Sequence, residues 1–324
     1  MKFLSRKETF LALLMVWAYQ GFSQDVPIYN HYFSNPFFYN PSYSIARKQA
    51  EASVLYRQQW TNIEGAPKFS NLSITAPLSK KIGIGLNVYN ITRGVITTSS
   101  AQASLSYKVM FTEQTHLSFG LSAGAGRNSL DPNQVDSTDP LIAQLLSNSF
   151  FLEGQAGFNL QHKNLNIGIS MPQLFDRSIV DATAFQKVGI NPLSTTIVSA
   201  SYKFQVSPTI SIQPLVLTKI TAKTNQSEGY AIAYYKDTFW LGGLYRQNYG
   251  AAALLGFQVS HLRVGYSYEF ATAQNSLLTF NSHEFLVSIR FGKESAEGPK
   301  SVKKSNNYTI PRTNHYKKTH RRNY

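Results

Sequence analysis

The feature that most constrains this chain is a strict alternation of apolar residues with polar or small ones between about residues 50 and 292. A period of two is the period of a β-strand, whose successive side chains point to opposite faces. Residues 261–271 show the pattern most clearly, with charged and small residues at every second position. The apolar positions between them are Leu262, Val264, Tyr266, Tyr268 and Phe270.

About fourteen such runs follow one another, each 8–12 residues long. An even number of strands with one apolar and one polar face is typical of a transmembrane antiparallel β-barrel, whose lumen is polar and whose outer wall meets lipid. In the last run, Phe285, Val287, Ile289 and Phe291 are expected to face lipid. The predicted strands are 50–60, 68–77, 81–90, 98–109, 115–126, 149–161, 164–172, 195–205, 208–219, 226–236, 238–247, 249–259, 261–271 and 282–292.

The connections between these strands differ in length according to their parity. The odd connections are predicted at 61–67, 91–97, 127–148, 173–194, 220–225, 247–248 and 272–281, and all but one of them are long. The even connections, at 78–80, 110–114, 162–163, 206–207, 236–237 and 260–261, are all short. Outer-membrane barrels have long extracellular loops and short periplasmic turns, and a soluble β-sandwich has no reason to sort its loops in this way.

The composition agrees with a barrel. Aromatic residues make up 13% of the chain and charged residues only 15%, whereas soluble domains carry about 25% charged residues. Cysteine is absent, which excludes disulfides and thiolate metal sites. No stretch beyond the N-terminus reaches 18 apolar residues, so no transmembrane helix is predicted for the mature chain.

Residues 1–23 resemble an export signal. Three basic residues precede the apolar run 10–18, and small residues stand before Gln24. This order is typical of a secretory signal peptide, and cleavage is expected near Ser23–Gln24. An uncleaved anchor helix is the alternative, although the run is short for crossing about 30 Å of hydrocarbon. An exported barrel is expected to lie in the outer membrane.

Two segments flank the predicted barrel, residues 50–292. Residues 24–49 are rich in tyrosine and phenylalanine around two Asn-Pro pairs, and we expect them to enter the lumen as a plug or to cap its periplasmic mouth. Residues 293–324 carry nine basic and two acidic residues, a composition that predicts a disordered periplasmic tail. Nucleic acid is not an expected partner of this tail in that location. An acidic protein, a cell-wall polymer, lipid headgroups or plain solvent are the alternatives.

The predicted lumen rows contain both signs of charge, which are expected to pair across the interior rather than to form an ion-selective ring. The set is Glu51, Arg57, Lys108, Glu153, Lys203, Arg246, Arg263, Glu269, Glu284 and Arg290. Glycines also lie mostly on the inner side and leave room for large neighbours or for a plug. These are Gly83, Gly85, Gly120, Gly154, Gly157, Gly168, Gly242, Gly243, Gly256 and Gly265.

The sequence contains no recognisable catalytic, metal or cofactor motif. None of the seven histidines forms an H-E-x-x-H zinc helix. Gly124-Ala125-Gly126 is followed by Arg-Asn-Ser, so it is not a dinucleotide-binding loop. No enzymatic activity and no cofactor are predicted.

The chain carries an ordered set of short motifs, which are two Asn-Pro pairs, a Tyr-Arg-x-Gln-Trp strand and a Gly-Ala-Pro loop, and Gly265-Tyr266-Ser267-Tyr268 follows near the end. Taken together, these motifs resemble the PorP/SprF family of the type IX secretion system of Bacteroidota. Ser44 departs from the usual glycine, and the basic tail is not part of the family pattern. The matching residues are Asn35, Pro36, Asn40, Pro41, Tyr43, Arg57, Gln59, Trp60, Gly65, Ala66 and Pro67.

The resemblance implies a fourteen-stranded outer-membrane barrel that serves secretion and gliding motility. Its implied partners are outer-membrane lipid, a periplasmic lipoprotein or peptidoglycan-linked component, and a large secreted adhesin. The residues themselves leave two other functions open. One is a passive transporter or porin for a small or hydrophobic solute, and the other is a structural barrel that fastens the membrane to the cell wall through the tail.

Overall fold

The protein is a closed antiparallel β-barrel in a computed structural model that describes residues 28–130, 150–175, 194–221, 224–247, 249–271 and 281–292. The predicted signal peptide, most of the two longest loops and the basic tail lie outside the described residues. No helix in the described ranges is both long and apolar enough to span a lipid bilayer.

The wall consists of strands that follow one another around the barrel. They are β1 Ala50–Gln58, β2 Lys68–Pro77, β3 Ile82–Arg93, β4 Ile96–Thr112, β5 Thr115–Leu130, β6 Phe150–His162, β7 Leu165–Met171, β8 Thr195–Tyr202, β9 Phe204–Gln205, β10 Ile210–Thr221, β11 Asn225–Tyr235, β12 Phe239–Arg246, β13 Gly250–Val259, β14 Leu262–Ala271 and β15 Ser282–Phe291. Because β8 and β9 are separated only by Lys203 and both pair with β10, they count as one membrane-crossing strand. The barrel in the described residues therefore has fourteen membrane-crossing strands, as the alternation predicts.

Closure occurs between the first and last strands. β1 pairs antiparallel with β15, in a register that runs from Ala50 opposite Phe291 to Gln58 opposite His283. This pairing removes the open edge that a sheet in hydrocarbon cannot keep, because each unpaired backbone group there costs several kcal/mol. The confirmed fold class is thus a closed transmembrane-type barrel.

The alternation also predicts correctly which face of each strand points outward. In β15, Phe285, Val287, Ile289 and Phe291 are exposed on the outside, while Glu284, Leu286 and Ser288 are buried on the inside. Exposed aromatic side chains lie near both ends of the wall, as the interfacial girdles of membrane barrels do. They are Tyr56, Tyr107, Phe111, Phe119, Phe150, Phe158, Tyr202, Phe204, Tyr235, Phe239, Tyr245, Phe257, Phe270, Phe285 and Phe291.

The two ends of the barrel differ in their connections, although less sharply than predicted. At one end, here called the short-turn end, every connection has two to four residues, as in 113–114 and 206–209. At the other, the long-loop end, the connections 59–67, 131–149, 172–194 and 272–281 are long.

The predicted loop 91–97 is wrong. β3 and β4 continue through this region and leave only Gly94 and Val95 between them. β-branched residues on both sides favour the strand, and Gly94 adopts a φ of 57°, which suits a tight hairpin turn.

Candidate functional site

Residues 28–46, here called the lumen segment, lie inside the barrel and contact several sides of its wall. The Asn30 amide donates to the Ser267 hydroxyl at 3.0 Å. The hydroxyl of Tyr32 donates to Ser199 at 3.1 Å. The hydroxyl of Ser44 donates to Ser106 at 2.7 Å. These wall residues belong to β14, β8 and β4 respectively, so the segment extends across the lumen.

The two Asn-Pro pairs shape the lumen segment. Each begins a short 3-10 helix, Pro36–Phe38 and Pro41–Ile45, with the asparagine at the N-cap. Proline suits the first helical position because its missing N–H would have no partner there. The side-chain oxygen of Asn40 accepts hydrogen bonds from the backbone N–H of Ser42 at 3.1 Å and from its hydroxyl at 2.6 Å.

Asn40 also ties the segment to the wall. Its Nδ2 donates to the Phe158 carbonyl at 3.0 Å and to the Ile169 carbonyl at 3.3 Å, which belong to the paired strands β6 and β7. Nearby, the Tyr43 hydroxyl donates to the side-chain oxygen of Asn166 at 2.5 Å. The side chain of Asn40 therefore caps its own 3-10 helix and also provides hydrogen bonds to two backbone carbonyls of the barrel wall.

Glycines in the wall provide the space that this segment occupies. A Cβ added at Gly120 would overlap the backbone of Pro41 and Ser42, and one added at Gly157 would overlap the Asn40 side chain. The prediction that inner glycines leave room for a plug or large neighbours is confirmed here, except that Gly154 and Gly243 lie on the outer face of their strands, where Phe175 covers Gly154 and Gly243 is exposed. Further pairs are Gly83 with Ile45, Gly85 with Phe37, and Gly265 with His31.

Aromatic rings form the apolar centre of the lumen. The ring centroids of Tyr29 and Tyr39 lie 4.9 Å apart, and Phe38 is 5.3 Å from Phe69 and 5.4 Å from Tyr89 on the wall. Such aromatic pairs contribute about 0.5–1.5 kcal/mol each beyond their buried area.

Burial raises the pKa of the tyrosine hydroxyls in the lumen segment. The pKa of Tyr32 rises from 10.0 to about 12, chiefly because its charged form would lose water, while its hydrogen bond to Ser199 acts in the opposite direction. The pKa values of Tyr29 and Tyr39 are also raised well above the usual range by burial. These hydroxyls remain neutral at any physiological pH.

A buried ionic network lies at the junction of the lumen segment and the closing strands. We call it the closure network, and it comprises Arg57, Glu228, Arg246, Glu269 and Glu284. Arg57 contacts Glu269 at 2.9 Å and Glu284 at 3.1 Å. Arg246 contacts Glu228 at 2.7 Å and Glu269 at 3.2 Å. The predicted pairing of opposite charges is confirmed for Arg57, Arg246, Glu269 and Glu284.

The closure network also binds the start of the lumen segment. Glu284 accepts hydrogen bonds from the backbone N–H groups of Asn30 and His31 at 2.9 and 2.8 Å, and the His31 ring nitrogen lies 2.8 Å away. Arg246 donates to the carbonyl of Ile28 at 2.9 Å. A carboxylate that receives several N–H groups and a guanidinium is well compensated despite its burial.

Other predicted lumen charges do not pair in this way. Lys108 donates to the carbonyl of Ile45 at 3.0 Å, Arg290 to the carbonyl of Ser260 at 3.1 Å, and Lys203 pairs with Asp237 at the rim. Glu51 lies 3.3 Å from Arg47. Lys108, Arg290 and Lys203 lie toward the short-turn end, remote from the carboxylates of the closure network, so the predicted pairing across the interior does not extend to them.

Glu153 occupies a separate polar cluster. It accepts hydrogen bonds from Tyr89, Ser100 and Gln102, and the Ser100 hydroxyl lies 2.5 Å from the carboxylate.

The remaining motif residues lie at the long-loop end rather than in the lumen. Gln59 donates to the Tyr249 hydroxyl at 2.8 Å, and its N–H donates to the carbonyl of Pro67 at 2.9 Å. Trp60 adopts a φ of 48°, an uncommon conformation for a non-glycine residue. The carbonyl of Gly65 accepts from the Gly94 N–H at 2.8 Å, and Ala66 is buried.

The structure thus divides the motif residues into two groups. Asn35, Pro36, Asn40, Pro41 and Tyr43 lie in the lumen segment. Arg57 reaches this segment through Asn30 at 2.9 Å, whereas the group from Gln59 to Pro67 braces the first loop against the β3–β4 hairpin.

Three residues of the closure region escaped the sequence analysis. Glu228 follows the inward alternation of its strand and could have been found by extending that row. Asn30 and His31 could not have been found in this way, because the lumen segment is irregular and its sequence has no periodicity that would show which side chains face the wall. Within the described ranges, no group of three or more His, Asp or Glu residues is arranged to hold a metal ion.

Fold and lumen together define an outer-membrane-type β-barrel whose interior is occupied by its own N-terminal region. The family model described as "Type IX secretion system membrane protein PorP/SprF" matches residues 21–289. The chain therefore belongs to the PorP/SprF family, as its motifs indicate, and it is a membrane protein of that secretion system. Fold and family support a location in the outer membrane. No curated protein matches the chain.

Solved structures of other barrels are similar only in fold. The "CymD monoaromatic hydrocarbon channel" is 13% identical with a TM-score of 0.46, and covers 79% of this chain and 92% of its own. The toluene transporter TodX of P. putida is 10% identical with a TM-score of 0.45, covering 80% and 95%. Omp33 of Acinetobacter baumannii is 10% identical with a TM-score of 0.42, covering 75% and 98%.

Proposed function

We propose that this protein is a non-enzymatic docking barrel that holds components of the type IX secretion and gliding machinery at the outer membrane. The observation that carries the proposal is the lumen segment, because aromatic and amide groups of residues 28–46 occupy the space that a transported solute would need. Hydrogen bonds from this segment reach strands on several sides of the wall. A rigid, filled barrel suits anchoring better than passage.

The orientation follows from the turns. Barrels of this kind place their short turns in the periplasm, so a periplasmic lipoprotein or a peptidoglycan-linked protein would meet the short-turn end. A large secreted adhesin would meet the long-loop end, where loops 127–148 and 173–194 lie largely outside the described residues.

The proposal also covers the two ends of the chain and the motif residues. We expect signal peptide 1–23 to be cleaved near Ser23–Gln24 and tail 293–324 to lie in the periplasm, and both regions lie outside the described residues. The motif residues from Asn35 to Pro67 would act indirectly, by fixing the lumen segment and the first loop for a partner.

Affinity purification tests the docking role. The full chain, carrying a tag and solubilised from membranes in a neutral detergent, should recover at least one component of the secretion machinery. An unrelated tagged barrel of similar size, expressed in the same cells, is the control. Recovery of the same proteins by both barrels, or of no secretion component, would contradict the proposal.

Single-channel recording tests the rival role of passive transporter or porin. Because the lumen segment is bound to the wall through Asn40 and the closure network, we expect no steady conductance in planar bilayers. A persistent open pore would favour transport and count against a filled docking barrel.

A further inference from the structure

A polar cavity of about 340 Å³ lies on the inner side of the barrel at the short-turn end. We call it the basic chamber, and its charged lining consists of Arg47, Lys203, Arg263 and Asp237. A neighbouring cavity of about 290 Å³ shares Lys203 and adds Lys163. Cations therefore outnumber carboxylates in the lining of both spaces.

Arg263 is the buried cation of the chamber. Its guanidinium donates to the Gln258 side-chain oxygen at 2.7 and 2.9 Å and to the carbonyl and hydroxyl of Ser34 at 3.2 and 3.1 Å. No carboxylate of the described residues lies within 4.0 Å of it, since Glu51 contacts Arg47 instead. A buried charge without a counter-ion is costly, so this site favours an incoming anion.

The second cation is only partly buried. The ammonium of Lys203 lies 2.7 Å from the carboxylate of Asp237 and 4.4 Å from the centre of the Tyr234 ring. Asp237 is 71% exposed, and an exposed pair of this kind contributes little. Lys203 can therefore turn toward a ligand at small cost.

An indole ring also lines the same chamber. Trp240 is buried, and its ring centroid lies 6.4 Å from that of Phe33 in an edge-on arrangement. The two rings give the chamber an apolar side next to its charged lining.

We infer that the basic chamber binds a carboxylate-bearing polypeptide segment presented at the short-turn end. Guanidinium groups match carboxylates in shape and charge, and the aromatic sides of the chamber, Phe33, Tyr234 and Trp240, suit the remainder of a side chain. Lipid phosphates belong to the outside of the wall, whereas this chamber lies within it. The identity of such a segment as part of a secretion partner rests on the docking function proposed above.

Peptide binding to the purified full chain in a neutral detergent tests the inference. The probe is a fluorescent ten-residue glutamate peptide, compared with a glutamine peptide of equal length, and anisotropy is the measurement. Lys203→Gln and Arg263→Gln should each weaken binding of the acidic peptide by about tenfold or more, as loss of a partly buried charge contact does. Heat-modifiable migration checks that each variant remains folded, and Lys203→Gln serves if Arg263→Gln does not fold.

Lys236→Gln is the matched control. Lys236 lies in the adjoining turn, outside the chamber lining, with its ammonium 5.4 Å from the centre of the Tyr235 ring. The Lys236→Gln change therefore removes one positive charge from the same end of the barrel without altering the chamber. Equal weakening by Lys236→Gln, or equal binding of the glutamine peptide, would overturn the inference. Displacement of the acidic peptide by inorganic phosphate at similar affinity would also overturn it, since the site would then be a small-anion pocket. Affinity purification of secretion components is read separately, so failure of either proposal can be recognised alone.

Discussion

Arg57 on the first strand and Glu284 on the last are register partners across the seam that closes the barrel, and their side chains meet at 3.1 Å. Both are almost fully buried, and both also bind Asn30 of the lumen segment, Arg57 through the Asn30 side chain and Glu284 through its backbone N–H. One ion pair therefore connects closure of the wall with filling of the lumen. Formation of the seam and docking of the segment are expected to be coupled.

Replacement of Arg57 by methionine should be strongly destabilising. It leaves Glu284 and part of Glu269 buried without their guanidinium partner, and breaking a buried pair in this way costs about 3–5 kcal/mol. The temperature at which the barrel loses its heat-modifiable migration on gels should fall clearly. Arg290→Gln is the control, because among the described residues Arg290 donates to an exposed backbone carbonyl and to no carboxylate, and its loss should change little.

The double variant Arg57→Met, Glu284→Gln separates charge from packing. Removing both charges should recover part of the loss, since the amide oxygen introduced by the Glu284→Gln change could still accept a hydrogen bond from the lumen segment. A double variant no more stable than Arg57→Met would show that the uncompensated carboxylate is not the cause.

The strand pattern was readable from the sequence because a barrel wall imposes one simple rule, with lipid on one face and the lumen on the other. The outward row of Phe285, Val287 and Ile289 follows directly from it. The rule fails where the surroundings change. β3 and β4 both extend into the predicted loop 91–97, since Gly94 allows a tight turn that alternation does not reveal.

The site was less accessible to sequence reasoning. The aromatic content of residues 24–49 indicates burial, but only three-dimensional contacts show that Asn40 binds two wall carbonyls or that Glu284 receives the backbone of His31. Such contacts join residues more than a hundred positions apart. They depend on the path of an irregular segment, for which no periodicity exists.

Gly120→Ala should loosen the lumen segment. The new methyl group would overlap the backbone of Pro41 and Ser42, which cannot move aside as a flexible side chain could, and overpacking of this kind costs about 1–3 kcal/mol. Faster hydrogen exchange at residues 40–46, together with a lower melting temperature, is the expected result. Gly229→Ala is the matched control, because a Cβ there meets nothing within 4 Å, and equal effects of the two changes would contradict the close approach at Gly120.

A cysteine pair should lock the lumen segment to the wall. The hydroxyl oxygens of Ser44 and Ser106 lie 2.7 Å apart, and the chain contains no cysteine that could compete. Ser44→Cys with Ser106→Cys should form a disulfide on mild oxidation, detected by mass spectrometry of linked peptides. Ser44→Cys with Ser288→Cys is the control, since Ser288 lies at the closing seam, where it accepts a hydrogen bond from Ser53. Efficient linkage of the control pair, or none in the first, would place the segment elsewhere.

Stability should decrease at alkaline pH because of the buried tyrosines. The pKa of Tyr32 rises from 10.0 to about 12 on folding, since burial disfavours its charged form. The folded state therefore keeps this proton more tightly than the unfolded state, so its contribution is complete below pH 10 and is lost as pH rises toward about 12. Melting temperatures measured between pH 9 and 12 should therefore fall. The hydroxyl-free variant Tyr32→Phe should show a shallower fall. It should also be slightly less stable than the wild type at neutral pH, because it lacks the hydrogen bond to Ser199. An unchanged slope in Tyr32→Phe would mean that this hydroxyl does not report on the filled lumen. Other buried tyrosines would then account for the alkaline effect, among them Tyr29, Tyr39 and Tyr43, whose pKa values are also raised by burial.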